Sequence, residues 1–236
     1  MKISIVIPFY NEEKNLEVLI PKLIKTLNKI RKNRFEVLLV DDCSTDKSNY
    51  VAKSLSKNSN QAKFIILKLT ERGGQTGAYK KAFKIASGKF IIRMDADLQH
   101  DPKDISKIIT KIKSGNDLII AKRHKRQDLG LLSICSNIYS LLMRFLLSSK
   151  IHNYSASFVA FNKKYLKKLP WYKNDHRYLP AIVIKRGLTN IVEIDLVHKK
   201  RRFGASRYNT FKKIFFGIPE VLLFCIRLQL GFYTIK

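Results

Sequence analysis

The stretch KFIIRMDADLQHDP, residues 89–102, joins a short apolar run to a group of acidic and amide side chains. Residues 90–92 are phenylalanine and two isoleucines, the aromatic and β-branched types that favour a buried strand. Asp95 and Asp97 follow almost at once, although the whole chain carries a formal net charge of +28. We therefore predict that a buried strand ends here and that carboxylates collect just beyond its end.

The same pattern of an apolar run followed by polar residues recurs through the first half of the chain. The other runs are KISIVIPFY (residues 2–10), FEVLLVDD (35–42) and KFIILKL (63–69). Helical apolar spacing separates them, over residues 12–32 and 76–86. Strands that alternate with helices indicate an α/β fold, with a mostly parallel central sheet covered by helices on both faces. Ligands of such sheets bind beyond the carboxyl ends of the strands.

After residue 103 the alternation is looser. The remaining predicted elements are a helix over residues 102–115, a strand over 117–123, an apolar helix over 131–147, and β-like runs at 157–161 and 190–199. No internal repeat or low-complexity linker divides this part of the chain. We therefore predict one domain over residues 1–209, followed by a separate tail over residues 210–236.

The tail is apolar for about twenty residues, which is the length of a membrane-spanning helix. Gly217 and Pro219 interrupt it, and charged residues recur in it at intervals of seven, at Lys213, Glu220 and Arg227. That spacing places the charges along one polar stripe of a helix. We expect a pair of amphipathic helices lying in a membrane interface rather than a span. A helix packed into the core remains the other possibility.

Composition excludes several classes of protein. Hydrophobic residues make up 45% of the chain, which is enough for a sizeable core and excludes a disordered chain. The three cysteines are scattered, so we expect a reducing compartment with neither a disulfide framework nor a structural zinc site. The apolar run at the N-terminus is short and cut by Pro8, which favours a first strand over a signal peptide.

The basic excess, 46 lysines and arginines against 18 acids, calls for an anionic partner or a solvated lysine-rich surface. Nucleic acid is not predicted, because the sequence has neither zinc-finger spacing nor an RNP-like aromatic motif. An anionic membrane surface fits better, since the basic runs lie beside long apolar segments.

The acids behind the fourth strand are candidate metal ligands. Alternate side chains of an extended segment point the same way, so Asp95, Asp97 and Gln99 can face one point. Two carboxylates and an amide oxygen suit Mg²⁺ or Mn²⁺. The same residue types also form turns and helix caps, and Asp101 before Pro102 has the pattern of such a cap.

Four motifs occur in order on successive predicted strand ends: IVIPFYNEEKNL, VLLVDDCSTDKS, GGQTGAYKKAF and DADLQHDP. Three more follow: KRHKRQD, NDHRYLPA and RRFGASRY. Together they resemble family 2 glycosyltransferases of the GT-A fold, in particular the branch that transfers sugars to dolichyl and undecaprenyl phosphate. The resemblance covers about residues 3–210.

The resemblance implies a role for each matching position. The nucleotide-sugar site would include Pro8, Tyr10, Glu12, Val40, Asp42, Gln75, Asp95, Ala96 and Asp97. The divalent ion that bridges the donor diphosphate would be held by Asp95, Asp97 and Gln99. The donor and acceptor phosphates would be bound by Arg123, Arg177, Arg201 and Arg207. The residues with catalytic roles would be Asp95, Asp97 and Arg201.

The implied reaction is inverting transfer of a hexose from a GDP- or UDP-linked sugar to a polyprenyl phosphate. The site would lie at the cytoplasmic face of the inner membrane, on a peripheral or monotopic protein. A divalent cation and arginines would stabilise the diphosphate leaving group. A lipid phosphate is already ionised near neutral pH, so no dedicated general base is needed. A glycolipid, lipopolysaccharide or soluble acceptor, and an inactive basic membrane-binding module, remain as alternatives.

Five positions depart from the pattern of that branch, and two of them are Ser157 in place of glycine and Arg207 in place of the commoner lysine. Cys43 stands where glycine is usual, and Arg72 replaces a common asparagine, which we expect to add charge near the donor phosphates. Asn153 stands where the branch has an acid, so the acceptor side of the site is less well defined by the resemblance.

Overall fold

The computed structural model describes residues 1–30, 33–59, 61–123, 138, 141–147, 151, 153–154, 156–199, 201–203 and 210–234. It describes the side chains of these residues except for Arg123 and residues 210–218.

A seven-stranded sheet forms the centre of the molecule, with the strand order β3-β2-β1-β4-β6-β5-β7. The strands are β1 (Lys2–Phe9), β2 (Arg34–Asp41), β3 (Ala62–Lys68), β4 (Phe90–Arg93), β5 (Leu118–Arg123), β6 (Val159–Asn162) and β7 (Ile191–Leu196). Strand β6 runs antiparallel to both of its neighbours, and all other pairings are parallel. The predicted α/β class with a mostly parallel sheet is confirmed.

Helices cover both faces of the sheet, as predicted. They are α1 (Glu13–Lys29), α2 (Ser48–Ser56), α3 (Gly74–Ile85), α4 (Ile105–Lys113), α5 (141–147), α6 (Leu179–Lys185) and α7 (Thr210–Gln229). Helices α1, α2 and α4 pack on a first apolar cluster under one face. Helices α3, α5, α6 and α7 pack on a second apolar cluster under the other. Side chains of each strand point alternately to the two faces, so the strands contribute to both clusters.

Helices α2 and α6 are present in the structure but absent from the sequence prediction. Among the apolar side chains of α2, only Val51 and Ala52 are buried. A nine-residue helix with so few apolar residues shows no clear 3.6-residue period of hydrophobicity in the sequence. Helix α6 is seven residues long and almost wholly apolar over its first six, so it has no polar face to reveal a period.

The tail forms one helix, α7, where the sequence predicted a pair divided at Gly217 and Pro219. Pro219 lies inside α7, and an interior proline costs a helix roughly 3 kcal/mol. Phe224, Leu228 and Tyr233 are fully buried on the second cluster, and each contributes about 1.5–3 kcal/mol by burial. Packing therefore outweighs the proline and keeps the helix continuous.

Helix α7 ends at Gln229, and Gly231, two residues later, has a φ of 76° in the left-handed region. The N–H of Phe232 donates to the Arg227 carbonyl at 3.1 Å, and that of Leu230 donates to Ile226 at 2.9 Å. The bond from Phe232 to Arg227 spans six residues and is typical of a Schellman motif. That motif favours glycine at the position that Gly231 occupies. Within the described residues, no helix combines the length and the apolar character needed to cross a bilayer.

An amphipathic interfacial tail would keep Glu220 and Arg227 in contact with water. That prediction is wrong for both side chains. Arg227 is only 8% exposed, and its Nη2 lies 3.6 Å from Oδ1 of the fully buried Asp175. Glu220 is half-buried and pairs with Arg177. Both charges turn inward because the protein supplies partners of opposite sign there. The side chain of Lys213 lies outside the described residues.

Candidate active site

The segment that follows β4 alternates between buried and half-exposed side chains, as the sequence predicted. The buried positions are Met94, Ala96 and Leu98, which pack on the first apolar cluster. The half-exposed positions are Asp95, Asp97 and Gln99. Because the apolar residues anchor every second position, the carboxylates of Asp95 and Asp97 and the amide of Gln99 remain accessible at the end of the strand.

Asp95 is close enough to Asp97 to affect its ionisation. Burial and the Asp95 charge raise the pKa of Asp97 to about 6. Asp97 Oδ1 accepts a hydrogen bond from the backbone N–H of Gln99 at 3.1 Å, and Gln75 Nε2 lies 3.5 Å from Asp95 Oδ1. Two crowded carboxylates are stabilised by a cation, and hard oxygen ligands suit Mg²⁺ or Mn²⁺. The residues present therefore fit a divalent ion.

Glu12 and Arg201 form an ion pair beside these carboxylates. Arg201 Nη2 donates to Glu12 Oε1, and its Nε donates to the Phe203 carbonyl at 2.9 Å. After burial and Asp95, the charges of Arg201 and Glu12 also act on the pKa of Asp97, lowering and raising it respectively. The fold thus brings Glu12, the aspartate pair and Arg201 to one place from three distant parts of the chain.

A second group of predicted residues meets at the ends of β1 and β2. Asp42 Oδ1 accepts hydrogen bonds from the backbone N–H groups of Gly73 at 2.8 Å and Gly74 at 3.0 Å, where α3 begins. The Arg72 guanidinium lies 3.7 Å from the centroid of the Tyr10 ring, and its Nε is 3.8 Å from Asp42 Oδ2. The sequence led us to expect that Arg72 adds charge near the donor phosphates, which stays a prediction; in the structure its guanidinium stacks on Tyr10 and lies next to Asp42.

Three residues predicted for the nucleotide site are buried: Pro8, Val40 and Ala96. Pro8 pairs with Val40 in the register of β1 and β2, and both side chains are buried. Ala96 is also buried, on the first apolar cluster. These three predicted nucleotide-site residues therefore expose almost no side-chain surface.

The turn over residues 175–178 is hydrogen-bonded to β4, the strand that precedes Asp95 and Asp97. Arg93, at the end of β4, donates from Nη1 to the His176 carbonyl and lies over the Tyr79 ring at 4.8 Å. Thr76 Oγ1 lies 2.7 Å from His176 Nδ1. Burial, followed by the charges of Arg93 and Arg177, holds the pKa of His176 well below its ordinary value, so the imidazole is neutral. The sequence analysis assigned no role to Arg93. An arginine at the end of an otherwise apolar strand could have indicated a buried polar contact there.

Arg177 projects from the same turn, and its Nη1 lies 3.2 Å from Glu220 Oε2 on α7. Of the other predicted phosphate-binding arginines, Arg201 lies beside the aspartates. Arg123 ends β5, but its side chain is outside the described residues, and Arg207 is outside them altogether.

The sequence model of glycosyl transferase family 2 matches residues 4–170, more than half of the chain. The chain belongs to glycosyl transferase family 2. This glycosyltransferase is 31% identical over 225 residues to the undecaprenyl-phosphate 4-deoxy-4-formamido-L-arabinose transferase of Pectobacterium atrosepticum, covering 95% of this chain and 67% of that protein. It is also 31% identical over 222 residues to the dodecaprenyl-phosphate galacturonate synthase of Rhizobium johnstonii, covering 91% of this chain and 64% of that one. The family 2 chain thus spans about two thirds of these relatives.

Solved glycosyltransferases share the fold. Glucosyl-3-phosphoglycerate synthase from Mycobacterium tuberculosis, in complex with Mn²⁺ and UDP-glucose, superposes with a TM-score of 0.68 at 16% identity, covering 95% of this chain and 78% of that one. TarS from S. aureus, in complex with UDP-GlcNAc, gives 0.65 at 20% identity, covering 94% and 66%. The family 2 enzyme therefore has the GT-A fold that the motifs implied.

Proposed function

We propose that this family 2 glycosyltransferase transfers a hexose, with inversion, from a nucleotide-diphosphate sugar to a polyprenyl phosphate at a membrane surface. The observation that carries the proposal is the pair of half-exposed carboxylates, Asp95 and Asp97, beside the Glu12–Arg201 ion pair. Both relatives above are named for transfer to, or synthesis on, a polyprenyl phosphate. Their names support the acceptor class, and the carboxylate and arginine groups support the chemistry.

The donor would lie along the carboxyl edge of the sheet. Tyr10, Arg72 and Asp42 offer a stacking face and a carboxylate suited to a base and ribose. Asp95 and Asp97, with Gln99, would hold Mg²⁺ or Mn²⁺. Since the described residues contain no group of three or more histidine, cysteine or acidic side chains able to hold a metal, further ligands would be amide, water or diphosphate oxygens. The bound ion would supply Lewis-acid stabilisation of the departing diphosphate.

The acceptor phosphate would approach the arginines. The guanidinium of Arg201 is bonded to Glu12 and to the Phe203 carbonyl in the structure. A planar guanidinium binds two phosphate oxygens at once through its parallel N–H groups. A phosphomonoester is mostly ionised near neutral pH, so it can attack the anomeric carbon without a dedicated base. His176 is neutral and contacts Thr76, which supports a positioning role for it rather than proton transfer.

Residues 1–209 would form the transferase domain, and residues 210–236 would meet the membrane. We place the protein at the cytoplasmic face of the inner membrane, as a peripheral or monotopic enzyme. The strong basic excess supports attraction to anionic lipid.

The proposal is tested by incubating the full chain with vesicles that contain undecaprenyl phosphate and a panel of radiolabelled UDP- and GDP-sugars. We expect label in the organic phase with one donor class, only when Mg²⁺ or Mn²⁺ is present. Asp97→Asn is the matched negative control, because it keeps the size of the side chain and removes its charge. Label confined to water-soluble products, or transferred equally without the lipid, would contradict a polyprenyl phosphate acceptor.

A further inference from the structure

Arg93 is a cation buried in the central sheet. It is the last residue of β4, lies two residues before Asp95, and is 3% exposed. The other three residues of the strand are a phenylalanine and two isoleucines, all of them buried. Among the described residues, Arg93 forms no ion pair with a carboxylate. A buried charge needs hydrogen bonds or an opposite charge to compensate for its lost hydration, so the contacts of Arg93 indicate its role.

The described contacts of Arg93 lead to His176. Nη1 of Arg93 donates to the His176 carbonyl, and the guanidinium lies 4.8 Å from the centroid of the Tyr79 ring. That ring is fully buried and stacks on the His176 imidazole, with 6.4 Å between the centroids. Thr76, on the same helix α3, places its hydroxyl 2.7 Å from His176 Nδ1. His176 is thus held through its backbone by β4 and through its ring by α3.

The backbone contact from Arg93 also fixes Arg177. The His176 carbonyl belongs to the planar peptide unit that joins His176 to Arg177, so a donor on that oxygen limits where the Arg177 backbone can lie. At the other end of the contact, the N–H of Met94 donates to the Val6 carbonyl at 3.1 Å, which holds the end of β4 in the sheet. One side chain therefore connects the strand that precedes the aspartates to the backbone of Arg177.

We propose that Arg93 is a positioning residue for sugar transfer, which fixes the distance between Arg177 and the aspartate pair, Asp95 and Asp97. The inference rests on the proposed function, in which the aspartates hold the donor through a divalent ion and Arg177 binds a phosphate. The buried side chain of Arg93 acts through Arg177 rather than on a substrate. The distance matters because the attacking oxygen and the anomeric carbon must come within about 3–3.5 Å, and a misplacement of about 1 Å can cost about a hundredfold in rate.

The contact suits an arginine in particular. A guanidinium is planar, so it can lie over the Tyr79 ring while its N–H groups reach a carbonyl in the plane. A lysine would keep the charge but not the planar stack. Burial, followed by the charges of Arg93 and Arg177, keeps the pKa of His176 well below its ordinary value. The imidazole therefore carries no charge that would repel Arg93.

Arg186 provides a matched comparison. It is 7% exposed and donates from Nη2 to the Lys167 carbonyl at 2.6 Å, so it too is a buried arginine bonded to the backbone. It follows α6, at the end of that helix away from the turn over residues 175–178. The segment before Lys167 is bonded to the start of β4, where the Lys163 N–H donates to the Lys89 carbonyl at 2.9 Å. Arg186 thus lies toward the edge of the sheet opposite the aspartates, and it should affect stability without affecting transfer.

The kinetic test compares Arg93→Gln and Arg186→Gln in the full chain, after circular dichroism and melting confirm that each variant is folded. With vesicles that contain undecaprenyl phosphate, Arg93→Gln should lower kcat/KM for the lipid about tenfold or more, because the phosphate-binding arginine is displaced. The KM for the nucleotide sugar should stay nearly constant. Arg93→Lys should recover only part of the loss, since it lacks the planar fork. Arg186→Gln should lower the melting temperature but change neither kinetic constant.

Hydrogen exchange tests the structural step without any substrate. In Arg93→Gln, the backbone amides of residues 174–178 should exchange about tenfold faster than in the wild type, because loss of a hydrogen bond from a charged donor favours local opening of the turn. Exchange in β1 and β2 should not change. In Arg186→Gln, the turn should exchange as slowly as in the wild type.

Three results would overturn the assignment: unchanged exchange of the turn in folded Arg93→Gln, an equal loss for the lipid and the nucleotide sugar, or an equal loss in Arg186→Gln. If Arg93→Gln fails to fold, Thr76→Val, which removes the hydroxyl beside His176, must speed exchange of the turn and lower kcat/KM for the lipid. Faster exchange of the turn in Arg93→Gln, with no transfer to the lipid by the wild type, would count against the proposed function alone.

Discussion

Arg177 and Glu220 form an ion pair across 43 residues of chain, with 3.2 Å between Arg177 Nη1 and Glu220 Oε2. Asp175, on the same turn as Arg177, accepts a hydrogen bond from the Tyr233 hydroxyl at 2.8 Å. The turn is also held by Arg93 and Thr76 through His176. The C-terminal helix is thus connected through one short turn to the strand that ends at the aspartate pair.

Replacing Glu220 with glutamine removes the charge that holds Arg177 but keeps the shape of the side chain. We expect the KM for the lipid acceptor to rise about three- to fivefold, the value of a partly exposed ion pair, and the KM for the nucleotide sugar to stay nearly constant. Glu220→Asp should recover part of the effect. Glu17→Gln, on the exposed side of α1, controls for net charge. Equal changes in both KM values would show that Glu220 supports the fold generally.

Asp97→Asn should lower turnover by about two to three orders of magnitude, because charge stabilisation of a leaving group is lost. The fold should survive, and the melting temperature near pH 7 should not fall. Burial and Asp95 raise the pKa of Asp97 to about 6, so its ionisation lowers stability as the pH rises from its unfolded value of about 3.9 through about 6, and the full cost is present at pH 7. Turnover and melting are measured with and without EDTA. Asp101→Asn is the control on the same segment, and its activity should be nearly normal. An Asp97→Asn variant that retains full, EDTA-resistant activity would remove the divalent ion from the mechanism.

Arg201→Ala should reduce transfer by about a hundredfold or more, since a phosphate-binding fork is lost. The free energy of unfolding should fall by only about 1 kcal/mol, because the Glu12 partner is itself partly exposed. Arg201→Lys keeps the charge but not the planar fork, so it should restore stability more than activity. Rates per folded molecule and urea unfolding distinguish the two effects. A large loss of stability with normal activity of the remaining folded protein would assign Arg201 a structural role.

Arg72→Asn should weaken binding of the nucleoside diphosphate about three- to fivefold, as expected for loss of a partly exposed stack on Tyr10. The turnover number at saturating donor should change little, because Arg72 lies at the Asp42 end of the site. Calorimetric titration with UDP and GDP measures the first effect. Lys47→Asn, in the loop before α2, is the control for net charge. A fall in turnover without weaker nucleotide binding would instead place Arg72 at the donor phosphates.

Glu36 should make folding sensitive to acid. Burial alone would raise the pKa of the Glu36 carboxyl, but hydrogen bonds from Ser4 and Ser87 and the charge of Lys2 hold it below its ordinary value. A lowered folded pKa contributes stability above the unfolded value of about 4.3 and loses it as the pH falls further. Glu36→Gln should therefore be less stable than wild type near pH 7 and should lose less stability on acidification. Urea unfolding across the acid range measures this. Parallel curves for the two proteins would contradict the assignment.

Local packing explains why much of the site could be predicted from the sequence. Alternation of apolar and polar residues is a property of neighbouring positions, so the chain itself set Asp95 and Asp97 on the accessible side of their segment. The strands, most of the helices and their covering of both sheet faces followed from the same short-range periods. The ordered motifs then indicated the family and the residue types of the site.

Contacts between distant segments decided the rest, because the direction in which a side chain turns depends on partners that arrive from elsewhere. The spacing of Glu220 and Arg227 predicted one stripe of the tail helix, but only Arg177 and Asp175 determined that the stripe faces the protein. Arg72 stacks on Tyr10 and lies next to Asp42, residues that are far from it along the chain. Arg201 reaches Glu12 across 189 residues, a separation that no local pattern encodes. The sequence by itself therefore determined the fold class and the residue types of the candidate site, whereas the tertiary structure decided which charges meet and which apolar face is left exposed.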